Sequence, residues 1–134
     1  MRMQDLESRG ICAFCPENVS VETTSPVELE TKYWLVKKND FPYKGSKQHL
    51  LIISKKHVDS LGKLSDSARH EFMDIVSQLE NEKNLVSYAV GIRSGDMRFN
   101  GGSVEHFHAH LVVGDTSKDS EIVRFKMSSR PEND

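Results

Sequence analysis

The chain has 134 residues, the size of one compact domain that buries roughly two thirds of the surface its unfolded form exposes. Its 18 Lys and Arg against 20 Asp and Glu leave a formal charge of −2, so no strong global field recruits a nucleic-acid polymer or a membrane surface, and an anionic ligand must be held by local groups. No apolar run approaches the roughly 20 residues of a spanning helix, and MRMQDLESRG lacks the apolar core of a signal peptide, so a cytoplasmic protein is expected.

In chain order, residues 1–26 alternate turn formers with short apolar pairs, which predicts an irregular arm packed on a sheet. Within it, Cys12 and Cys15 are spaced CxxC, pointing to metal or redox chemistry before a structural disulfide. From Val27 to Lys37 the alternation predicts one strand, with Tyr33 and Leu35 on one face and Trp34 and Val36 on the other. NDFPYKGSK, residues 39–47, breaks it. His49 to Ser54, HLLIIS, is a continuous apolar run of the kind found in a central strand covered on both faces.

In LSDSARHEFMDIVSQLENEK, Ser65 is an N-cap, Asp66 favours the first turn, and Ala68, Phe72, Ile75, Val76 and Leu79 recur at helical spacing. That is one amphipathic helix whose apolar stripe needs a sheet to cover. Tyr88 to Ile92 is a further strand, RSGDMRFNGGS is irregular, and Val104 to Val113 is a long strand. EIVRFKMSS can add a short strand that closes the sheet or an interface, and the tail, residues 128–134, is expected to fray. The sum is a single α+β domain spanning residues 1–134: an antiparallel sheet of about five strands with one main helix on one face.

The chemistry concentrates in HFHAHLVV. Side chains alternate along a strand, so His106, His108 and His110 project from one face while Phe107, Ala109 and Leu111 project from the other. Same-side neighbours lie about 6.5–7 Å apart, close enough for one phosphate-sized group to touch two of them. Such a row serves either metal binding or attack on phosphorus by a neutral imidazole whose neighbour donates to the nonbridging oxygens. Gly101 and Gly102 allow a backbone to approach a ligand closely, and Ser103 offers a hydroxyl and an N–H to an oxyanion.

HFHAHLVV matches the HxHxH-plus-apolar motif of the histidine triad (HIT) nucleotide hydrolases and transferases, and QHLLIISKKHVDSL resembles the family's GHxLVIPKxHxxxL block, with His49 and His57 at the expected positions. The resemblance runs from about Cys12 to Val113. It implies that His108 is a nucleophile that attacks the α-phosphorus of a nucleotide and forms a nucleotidyl-histidine, that His110 and Ser103 bind phosphate oxygens, and that Gly101 and Gly102 line the nucleotide site. It implies a ribose contact at Asn39, three residues before Pro42, with Asp40 next to it as an alternative. ICAFCPEN resembles the CxxC of bacterial members, which implies structural zinc on Cys12, Cys15, His57 and His106, with no metal needed for the chemical step. A purine nucleotide or dinucleotide substrate and a homodimer follow by the same analogy.

Three departures bear on these expectations. The stretch from Pro42 to His49 is two residues longer than the family's pattern, Gly102 stands where Gln often precedes the serine, and Ser54 stands where Pro is usual. The first two bear on the substrate and not on the reaction. Two other classes compete with the enzyme: a nucleotide-binding sensor or partner-binding domain without significant catalysis, and a catalytic metal site built from all three triad histidines. The last leaves CxxC and HLLIISKKH unexplained.

Overall fold

The computed structural model describes residues 10–131. Its elements in chain order are α1 (Pro16–Glu22), β1 (Val27–Glu30), β2 (Trp34–Lys38), β3 (Ser46–Ser54), a 3-10 turn (Leu61–Lys63), α2 (Asp66–Glu82), β4 (Ala89–Ile92), α3 (Met97–Asn100) and β5 (His108–Gly114). The strands form one antiparallel sheet in the order β1-β2-β3-β5-β4. HLLIIS therefore lies in the middle strand, with Leu50 to Ile53 almost without exposure.

Both faces of that strand are covered, by different parts of the chain. Leu50 and Ile52 join Trp34, Val36, Phe107, Ala109 and Leu111 beneath the stripe Ala68, Phe72, Ile75 and Leu79 of α2. The helix starts where the sequence places it: Ser65 Oγ accepts from the Ala68 amide at 3.1 Å, satisfying one of the free N–H groups of the first turn. Trp34 Nε1 donates to the Ala68 carbonyl at 2.8 Å, so the one tryptophan ties sheet to helix while burying its ring. On the opposite face Leu35, Leu51 and Ile53 pack against Ala13, Phe14 and Val19 of the N-terminal arm.

Local expectations change in several places, the first being RSGDMRFNGGS, expected to be irregular, which contains the short helix α3. The arm is not wholly irregular: Pro16 opens α1, a position where its missing N–H costs nothing. Val27–Lys37 is a hairpin and not one strand, because Glu71 of α2 accepts from the Tyr33 amide (3.0 Å) and from the Thr31 hydroxyl, folding the chain between β1 and β2. The triad strand begins at His108 and not at Val104. EIVRFKMSS forms no strand; it runs beside the sheet, held where Arg93 donates to the Lys126 carbonyl and where the Ser129 amide donates to the Phe99 carbonyl at 3.0 Å. Ser129, in the tail expected to fray, is thus anchored, while residues 132–134 lie outside those described.

Candidate active site and metal centre

The β3–β5 register sets Ile53 against His108 and Leu51 against His110, so these four side chains share the face opposite α2. His106, just before β5, and the other two triad histidines are all nearly buried. Each has a ring partner that fixes its tautomer.

His108 places Nδ1 2.7 Å from the His106 carbonyl, an acceptor only, so Nδ1 carries the proton and Nε2 keeps its lone pair. Phe14 packs edge-on against the ring, with centroids 4.9 Å apart, and burial drops the imidazole's pKa to about 4. The result is a neutral imidazole with a free nucleophilic nitrogen.

His110 is set indirectly, through His49. The Tyr43 amide donates to His49 Nδ1 at 3.0 Å, which leaves the His49 proton on Nε2. That nitrogen lies 2.8 Å from His110 Nδ1 and donates to it, so the proton of His110 sits on its own Nε2. Burial holds His49 down to about 4 and His110 to about 2, the latter also under the influence of His108, His49 and Arg93. His110 is therefore a neutral donor beside a neutral nucleophile. Tyr43 stacks on the His110 ring at 5.3 Å and keeps it in place.

His106, also touched edge-on by Phe14, has a different set of partners. Its Nε2 donates to the Ser54 carbonyl at 2.5 Å, leaving a bare Nδ1 3.3 Å from Cys12 Sγ, 3.6 Å from Cys15 Sγ and 3.1 Å from His57 Nδ1; Cys15 Sγ lies 3.2 Å from His57 Nδ1. The four donor atoms all lie within 4.8 Å of one another. A tetrahedral ion with bonds of about 2.3 Å to sulfur and about 2.0 Å to nitrogen sets its ligands about 3.3–3.8 Å apart, so the spacing and the donor chemistry fit a metal. Without a cation, burial and the adjacent Cys12 push the Cys15 thiol up to about 12; a cation reverses this by taking the thiolate.

The HIT domain family model matches residues 20–117. The chain belongs to the HIT family. Among solved structures it resembles a histidine triad protein from Clostridium difficile (24% identity, 82% of this chain and 96% of that one, TM-score 0.62) and a HIT family hydrolase from Legionella pneumophila (26%, 79% and 94%, 0.59). A Zn-bound histidine triad family protein from Mycobacterium smegmatis is similar at 19% identity over 85% of this chain and 82% of that one, with a TM-score of 0.63. No curated protein matches the chain in sequence.

The remaining candidates of this HIT domain are dispersed around the histidines. Asn39 Oδ1 accepts from the Phe41 amide at 2.9 Å, and its Nδ2 lies 3.3 Å from His49 Nε2, so it both shapes the turn and borders the histidine pair. The Asp40 carboxylate is committed to the chain: it accepts from the Thr24 and Ser25 amides at 2.8 and 3.0 Å and pairs with buried Lys37 at 3.1 Å, which lowers its pKa to about 2 despite the opposing cost of burial. Gly101 adopts a left-handed φ of 81°, which favours glycine, and a Cβ on Gly102 would come within 2.0 Å of Met97 Sδ, so a side chain there requires the flexible Met97 side chain to move. Their amides donate to Ser129 Oγ and Asn100 Oδ1. Ser103 is exposed and lines a cavity of about 180 Å³ with Cys12 and His57.

Sequence reasoning placed His49 without a role, and it missed Phe14, Tyr43 and Arg93. His49 had a signal, as a polar residue opening an otherwise apolar central run. The other three had none: Phe14 and Arg93 lie far in sequence from the histidines they touch, and Tyr43, though close in sequence to His49, sits in the turn-forming stretch NDFPYKGSK, where nothing local marks the contact.

Proposed function

We propose that this HIT-domain protein is a nucleotide hydrolase or nucleotidyl transferase that cleaves at the α-phosphate of a dinucleoside polyphosphate, a nucleoside phosphoramidate or an adenylate ester. The observation that carries the proposal is the His108 Nδ1–H bond to the His106 carbonyl, which leaves Nε2 as a nucleophile next to a histidine locked as a donor. In the first step Nε2 bonds to the α-phosphorus as the bond to the leaving group breaks. In the second, water or phosphate takes the nucleotidyl group and frees His108. The His110 Nε2–H donates to a nonbridging oxygen, where charge develops in transfer, and Ser103 with the Gly101–Gly102 turn closes the phosphate side. Asn39 stands by the ribose.

Cys12, Cys15, His57 and His106 hold zinc in this account. When bound, zinc supplies structural cross-linking of the N-terminal arm to the strand carrying the nucleophile. The protein's own residues do the rest: Phe14, on the same arm, excludes water from one side of His108, and His106, with Nε2 on Ser54 and Nδ1 on the metal side, has no proton to give a leaving group. Paired free thiols suit the reducing cytoplasm. No described helix is long and apolar enough to cross a membrane.

A homodimer through β4 completes the proposal. β4 is an edge strand, and Val90 and Ile92 are 37% and 39% exposed, an apolar edge of the kind that proteins otherwise cover or charge. The test of function is turnover of diadenosine polyphosphate and adenosine phosphoramidate by the native protein and by His108→Asn. Consumption by the native protein alone supports the enzyme; nucleotide binding without turnover in either supports the sensor.

A further inference from the structure

Beside His110 stands a cation that nothing in the catalytic account uses. Arg93 follows β4, and its Nη1 lies 3.5 Å from His110 Nε2. With the His110 proton on Nε2, fixed by the Tyr43–His49–His110 chain, both atoms are donors, so this approach is not a hydrogen bond. It is two N–H groups converging with no acceptor between them.

The guanidinium is held in that pose from behind. Nε and Nη2 donate to the Lys126 carbonyl at 2.9 and 2.7 Å, and the Phe125 ring covers Cζ at 4.1 Å. Phe125 fits there because Gly91 has no side chain: a Cβ at Gly91 would lie 2.7 Å from the ring. Gly91 is paired with His110 across the β4–β5 ladder, so the ring, the guanidinium and the imidazole form one layer on the histidine face, with Phe125 and His110 centroids 5.5 Å apart. Nη1 also donates to the Tyr43 hydroxyl at 3.2 Å, a long bond that a stronger acceptor displaces. The C-terminal segment thus acts as a mount that spends two edges of the guanidinium and presents the third to the nucleophile's neighbour.

We propose that Arg93 is a second phosphate ligand of the site, gripping with His110 an anionic nonbridging oxygen of the nucleotide, and that the Phe125–Lys126 segment positions it. This rests on the nucleotide-phosphate reading above. It deepens that reading by supplying what neutral histidines do not, a fixed positive charge next to the phosphate. Arg93 therefore selects for the anionic phosphate and contributes nothing to recognition of the nucleoside.

The test is calorimetric titration of the native protein, Arg93→Gln and Arg93→Lys with AMP and with adenosine. The expected result is a loss of AMP affinity of about 10-fold or more in Arg93→Gln, the scale of a charge-assisted hydrogen bond, with adenosine affinity unchanged and AMP binding partly rescued by Arg93→Lys. Equal AMP affinity in the native protein and Arg93→Gln overturns the assignment while leaving the nucleotide reading intact. A matching loss of adenosine affinity also overturns it, because the residue then only shapes the fold. If the native protein binds neither ligand, the nucleotide reading and the Arg93 assignment fall together.

Discussion

Asp40→Asn is expected to unfold the protein more readily without touching nucleotide recognition. In the folded chain the Asp40 carboxyl is held from its ordinary 3.8 down to about 2 by the Thr24 and Ser25 amides and the Lys37 ammonium. At 1.36 kcal/mol per pH unit this corresponds to about 2.5 kcal/mol of stability at neutral pH. It is present above pH 3.8 and lost as the pH falls through about 2. The side chains of Lys37 and Asp40 are only 1% and 9% exposed, so the asparagine also strands a buried ammonium, a change that costs several kcal/mol elsewhere. We take about 3 kcal/mol for the single substitution; with a urea dependence of about 1.5 kcal/mol/M the midpoint falls by about 2 M. Lys37→Met combined with Asp40→Asn removes both charges and should regain at least about 1 kcal/mol over Asp40→Asn alone. Urea unfolding of the four members of this cycle measures the coupling. Strict additivity, or a shift for Asp40→Asn below about 0.3 M, refutes the brace. Loss of nucleotide affinity at unchanged stability would instead return Asp40 to the ribose contact that the sequence left open.

Four further outcomes follow from the same geometry. His49 is neutral in the fold and held at about 4, below its ordinary 6.5, so its contribution to stability is whole above pH 6.5 and drains away as the pH falls toward 4; His49→Phe should flatten that part of a melting-temperature profile. The same variant releases the His110 tautomer and should lower kcat/KM by about 10- to 100-fold with KM for the nucleoside part unchanged. Cys15→Ser should reduce bound metal, by elemental analysis, from one ion per chain to a small fraction, and should remove the stabilisation of about 4 kcal/mol that metal at a thousandfold over its Kd supplies. Val90→Lys with Ile92→Glu places charges on the β4 edge and should convert a dimer to monomer in sedimentation, whereas an unchanged sedimentation coefficient places any interface elsewhere.

What the sequence made legible was whatever is written in local periodicity. HLLIIS announces a strand buried on both faces because it has no polar side at all, and Ser65 with the stripe through Leu79 announces α2 because cap and period agree. The alternation of the triad placed three imidazoles on one side. Alternation alone did not separate His106 from the other two; its place among the metal-binding residues came from the family resemblance, and the partners that give it that role are Ser54 and two cysteines some 50 and 90 residues away. The hairpin in VELETKYWLVK is equally invisible locally, because the carboxylate that holds its turn belongs to Glu71 on α2. The tautomers, and with them the roles of His49, Tyr43 and Arg93, come from contacts that only the assembled sheet creates.

The most direct test of the account is intact mass, taken after a brief acid-free quench of the protein with diadenosine polyphosphate and, separately, with adenosine phosphoramidate, with His108→Asn alongside. The account predicts a transient gain of one nucleotidyl mass on the native chain and none on the variant, with the substrate that produces it identifying the leaving group. Consumption of either substrate with no adduct at any quench time, or an adduct that persists in His108→Asn, would contradict covalent transfer through His108.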